Sequence, residues 1–113
     1  MVAKEEMLIV KKSYDFSKWL LNHTGKFPRS SRFTVAARLE NTMLEFTELV
    51  AVANRRTAKR SLLFEADEML TRLRLLVRLS YDMKFINQHA YEHASLQIAE
   101  LGKMLGGWIK SVE

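Results

Sequence analysis

YEHASLQIAELGKMLGGWIKS, residues 91–111, steps through Tyr91, Ala94, Ile98, Leu101, Leu105 and Trp108 in strides of three and four. Such strides hold apolar side chains on one side of an α-helix and are incompatible with the alternation of a strand. The same stepping recurs upstream at Ala36, Leu39, Met43, Phe46, Val50 and Ala53, and again at Leu62, Ala66, Met69, Leu73, Leu76, Ser80 and Met83. A less regular face near the start combines Ile9, Phe16 and Leu20 with Met7, Val10, Tyr14 and Leu21. Four amphipathic helices are predicted, over about residues 5–23, 31–56, 59–85 and 88–110, and no strand.

The breaks between them are legible. HTGKFPRSS, residues 23–31, holds the only proline, so the first helix should stop near His23 and Ser30 or Ser31 should cap the second. NRRTAKRS, residues 54–61, offers a turn near Ala58. Asn87 should cap the fourth helix directly after the third. Short connections force antiparallel neighbours, so residues 1–113 read as one domain, an antiparallel up-down-up-down four-helix bundle. Apolar residues outside the stripes, Phe33, Ala37, Leu44 and Val52 with Leu63, Leu70, Leu75, Val77 and Leu79, exceed what a small monomer would cover. Self-association is the simplest way to cover them.

Composition narrows the function. At 113 residues with 48% apolar content and a formal charge of +5, the chain suits one folded domain with anionic partners. Without cysteine it has no thiol chemistry or disulfide, which suits a reducing cytoplasm. No signal peptide or membrane span is expected, because Lys11 and Lys12 interrupt the first apolar run. HAYEH, residues 89–93, fits an inverted zinc-protease pattern, with His89 and His93 as ligands and Glu92 as base. That chemistry needs a third protein ligand from a larger scaffold, so no metal, cofactor or catalytic residue is assigned.

Basic residues carry more. Arg55, Arg56, Lys59 and Arg60 crowd the second turn, Lys26, Arg29 and Arg32 the first, and Arg72, Arg74 and Arg78 follow on the third helix. Arg74 and Arg78 lie one turn apart, away from the Leu62–Met83 stripe, where guanidinium groups can meet phosphates. Reversing both charges is expected to weaken nucleic-acid binding. The competing reading is a solvated face, with Glu68 and Asp82 as i,i+4 partners of Arg72 and Arg78. Gly102, Gly106 and Gly107 each cost a helix interior about 1 kcal/mol relative to alanine. Gly102 and Gly106 sit one turn apart beside the stripe, where a second backbone could come close, within the bundle or between subunits; Gly107 could instead be a terminal cap.

KFPRSSRFT at 26–34, YDFSKWLLNHT in the first helix and the terminal YEHASLQIAELGKMLGGWIKS together resemble the accessory variability determinant proteins of diversity-generating retroelements. The likeness runs from about Leu8 to Ser111 and departs at Val35–Ala37. The resemblance implies a basic, barrel-shaped homopentamer without enzymatic activity. It binds a reverse transcriptase and RNA or DNA, and supports mutagenic copying of a template repeat. The family's motifs fall on Phe27, Pro28, Arg29, Arg32, Phe33 and Thr34, and on Gly102, Met104, Leu105, Gly106, Gly107, Trp108, Ile109 and Lys110. The alternative is a structural or interaction bundle like the proteins encoded within intervening sequences of 23S ribosomal RNA genes.

Overall fold

The computed structural model describes residues 4–113, and side chains from Met7 onward. Four helices follow one another: α1 (Lys4–Thr24), α2 (Ala37–Ala53), α3 (Arg60–Asp82) and α4 (Gln88–Ser111). Each packs against its neighbour in sequence and α4 closes on α1, giving an all-α four-helix bundle 44 Å long with no strand among the described residues. The α1–α2 loop and the α3–α4 turn therefore share one end. The α2–α3 turn and the C-terminus share the other.

The core follows the predicted stripes closely in two helices. Ala36, Leu39, Met43, Phe46, Val50 and Ala53 are buried, as are Ala94, Ile98, Leu101, Leu105 and Trp108. Helix α3 differs. Leu63, Leu70 and Val77, expected outside the stripe, are buried in the bundle itself, whereas Leu62 and Leu76 are half-buried and Met83 is exposed. Helix α3 thus buries this second row beside Ala66, Met69, Leu73 and Ser80 of the stripe, so part of the apolar surplus needs no second copy. Phe33, Leu44, Val52, Leu75 and Leu79 remain exposed, Phe33 at 87% and Leu75 at 70%.

The irregular face of α1 is explained by hydroxyls. Ser13, Ser17 and Thr24 are buried between its apolar residues. The Ser13 and Ser17 hydroxyls donate to the carbonyls of Val10 and Ser13, and Ser17 Oγ lies 2.9 Å from Thr47 Oγ1 on α2. Small hydroxyl residues that satisfy themselves on the preceding turn can occupy a packed seam without breaking the helix.

Neither Ser30 nor Ser31 caps α2. A 3-10 turn, Arg29–Ser31, and a π-helical turn, Arg32–Ala36, lead the chain into the helix instead. The Ser31 hydroxyl turns back to donate to the Pro28 carbonyl (2.9 Å). Asn87 does cap α4, its side-chain oxygen accepting from the Ala90 amide at 2.8 Å. Helix α2 ends at Ala53 rather than 56, and α3 at Asp82 rather than 85.

The end of α3 has a specific cause. Lys84 adopts a left-handed conformation (φ 64°), with its amide donating to the Tyr81 carbonyl and the Phe85 amide to that of Ser80. These bonds form a Schellman motif, whose left-handed position usually belongs to glycine because a side chain there crowds the carbonyl. Lys84→Gly should therefore raise stability by roughly 0.5–1 kcal/mol in a denaturant titration. Asn87→Ala should lower it by about 1 kcal/mol in the same assay, leaving the Ala90 amide without its partner.

Candidate nucleic-acid interface

The cations predicted to meet nucleic acid fall into three groups, which the fold keeps apart. Arg55, Arg56, Lys59 and Arg60 ring the end that also holds the C-terminus. Here α2 unwinds through Asn54, Arg55 and Arg56, whose amides donate to Val50, Val52 and Ala53. Helix α3 restarts as the Leu63 amide donates to the Lys59 carbonyl. Arg55, Arg56 and Arg60 are exposed, and Lys59 is half-buried. Lys59 Nζ sits 5.5 Å from the centre of the Trp108 ring, and the Arg60 guanidinium 5.5 Å from that of Phe64. These aromatic contacts orient the cations without neutralising them. Two buried polar atoms at this end, Asn54 Oδ1 and Trp108 Nε1, have no hydrogen-bond partner among the described residues.

Lys26, Arg29 and Arg32 lie at the opposite end, all exposed. Arg29 and Arg32 line a cleft of about 500 Å³ with Thr24, Phe27, Pro28 and Glu40. One carboxylate of that cleft is already engaged, since the Thr24 hydroxyl donates to Glu40.

Arg72, Arg74 and Arg78 run along α3 between the two ends, and their surroundings differ from the expectation of arms projecting freely outward. The Arg74 guanidinium leans over α4: a Cβ added at Gly102 would stand 2.8 Å from its Nη2. Arg78 Nε lies 3.1 Å from Asp82, Nη1 donates to the Tyr91 hydroxyl at 3.5 Å, and the guanidinium faces the rings of Tyr81 and Tyr91. Tyr91 first and Asp82 second hold this guanidinium above the ordinary arginine value. The expected pairing of Arg78 with Asp82 is therefore present, while no Glu68–Arg72 pair forms among the described residues. Of all the cations in these three groups, Arg78 alone has a described carboxylate within 4 Å.

The packing residues separate just as clearly. Phe27 is half-buried with its ring 5.3 Å from that of Phe85, tying the first loop to the α3–α4 turn, and Pro28 opens the 3-10 turn. Trp108 is core, 5% exposed. Gly107 is no cap, since α4 continues to Ser111. Gly106 and Gly107 face open space, with nothing within 4 Å of an added Cβ. The neighbour close to Gly102 is the far end of a flexible arginine, not a backbone. Among the described residues, then, no second backbone approaches this strip inside the bundle.

A family model described as bAvd-like matches residues 7–112. The chain belongs to the bAvd-like family. The accessory variability determinant resemblance of its two motifs agrees with that membership. No curated protein matches the sequence. Among solved structures, a protein of unknown function from the S23 ribosomal protein family of Bacteroides thetaiotaomicron is similar in fold. It superposes with a TM-score of 0.86 at 15% identity, over 94% of this chain and 98% of that one. In this bAvd-like bundle the first-loop motif and the terminal motif occupy opposite ends. Sequence reading missed the seating of Lys59 on Trp108 and of Arg78 on Tyr91, since residues so far apart in the chain meet only through the antiparallel return of α4.

Proposed function

We propose that the chain is a non-enzymatic accessory protein of a diversity-generating retroelement. In this reading it is a cytoplasmic homopentamer that holds RNA or cDNA on its basic surface and binds the reverse transcriptase, supporting mutagenic copying. The observation that carries it is the α2–α3 turn: Arg55, Arg56, Lys59 and Arg60 gather at one end with no described carboxylate in reach. Unneutralised cations in that density attract phosphates, with affinity gained by counterion release and lost as salt rises. Membership of the bAvd-like family agrees with this reading. Assembly draws on two further features. The exposed apolar residues Phe33, Leu44, Val52, Leu75 and Leu79 want a cover, and Gly106 and Gly107 on α4 have no described neighbour within 4 Å of an added Cβ, whereas Arg74 lies over Gly102. A five-copy ring multiplies the +5 of each chain into a field that steers a polyanion.

Filter binding of a single-stranded RNA across a salt series tests the nucleic-acid part. Retention should fall steeply and linearly on a log–log plot, and no retention at low salt would overturn it. The likeness to an S23-family fold favours the second reading, a structural or interaction bundle. Gene context separates the two: a neighbouring reverse transcriptase with near-identical repeats supports the first, and a ribosomal RNA gene the second.

A further inference from the structure

The chain has three histidines, and the fold brings all of them to one pocket at the end opposite the α2–α3 turn. His23 comes from α1, and His89 and His93 from the first turns of α4; Lys26 enters from the first loop. Trp19, Phe85, Ile86, Asn87 and Ala90 complete a cavity of about 450 Å³, within the range of small-molecule sites. Two of the imidazoles are held in place. His23 stacks on Trp19 with ring centres 3.8 Å apart and its Nδ1 lies 3.0 Å from the Trp19 carbonyl, while His93 meets Trp19 at 4.7 Å. No described carboxylate lines the cavity; Glu92, next in sequence to His93, is bonded to Gln88 instead. With its Oδ1 committed to the Ala90 amide, Asn87 keeps its Nδ2 donors for a ligand.

A pocket of one permanent cation, three imidazoles and no acid selects an anion. Its other wall, Phe85 and Ile86, is apolar, and Asn87 offers an amide beside it. We propose that this pocket binds a nucleoside monophosphate. The phosphate would lie against Lys26 and the imidazoles, and the base against Phe85, Ile86 and Asn87. Metal binding is not favoured, because no group of three or more ligating side chains among the described residues has the geometry to hold an ion. The proposal is independent of the arginine surface.

Because the protein has three histidines, their ring Cε1–Hε1 NMR signals are individually resolvable. Titration with AMP should move all three along one saturating curve. Lys26→Ala, at an exposed loop position, should weaken it several-fold with the spectrum otherwise unchanged, and His93→Gln should do so by about tenfold. A charge-reversed α2–α3 turn should leave the AMP curve intact even if RNA binding is lost. Tighter binding of a 5′-phosphorylated trinucleotide than of AMP would identify a strand end as the source of the nucleotide. The proposal is overturned if AMP produces no saturable shift, if adenosine binds as tightly as AMP, or if a glutamate-rich peptide displaces AMP at lower concentration.

Discussion

Reversing Arg55, Arg56, Lys59 and Arg60 to glutamate should lower affinity for single-stranded RNA on the order of 10²–10³-fold at about 0.1 M salt. Each phosphate neutralised on a single strand contributes a slope of about 0.7 in log K against log salt. Removing four cations should flatten that slope by about 3, and at about 0.1 M each is worth close to a factor of five. The helical signal should survive, because three of the four side chains are exposed and the fourth, Lys59, contributes a cation–aromatic contact at the rim of Trp108. Reversing Arg74 and Arg78 should have a smaller effect. Arg78 already faces Asp82 and Tyr91, so part of its charge is spent inside the protomer. Unchanged RNA affinity in the fourfold variant would place binding elsewhere and remove the observation on which the proposed function rests.

Gly106→Leu should convert an oligomer into single protomers. Inside one bundle the substitution meets nothing within 4 Å of the new Cβ, and replacing a helix-interior glycine should favour the helix by up to about 1 kcal/mol. Gly102 tells the same story less sharply, since an alanine there displaces only the end of the Arg74 side chain. In the proposed assembly, Gly106 and Gly107 keep their weak helix propensity for a second copy pressed against the strip. Light scattering should show the mass fall to one chain while the melting of the isolated protomer holds or rises. If the mass of the assembly is unchanged and the melting temperature rises, the glycines have no role in assembly.

The fold was legible where the apolar residues of a helix fell in a single row. Helix α4 and helix α2 present a single stripe each, and apart from the half-buried Tyr91 the residues of those stripes are buried. Helix α3 carries adjacent apolar pairs, Leu62 with Leu63, Met69 with Leu70 and Leu76 with Val77, so periodicity alone does not choose its rotation. Packing does, by burying Leu63, Leu70 and Val77. In α1 the hydroxyls of Ser13 and Ser17 look like interruptions in a sequence and act as seam residues in the bundle. Lys84 in a left-handed turn gives no sequence signal at all, because lysine is an uncommon choice there. As for the site, the charge clusters are sequence neighbours and were visible as such. Their aromatic seats and the gathering of three histidines depend on helix pairing and were not.

Sedimentation of the purified protein together with the reverse transcriptase that the proposed function requires tests the central claim most directly. The expected result is one boundary that contains the polymerase and several copies of this chain, sensitive to salt. A 13.2 kDa species that sediments alone and leaves the polymerase free would contradict it.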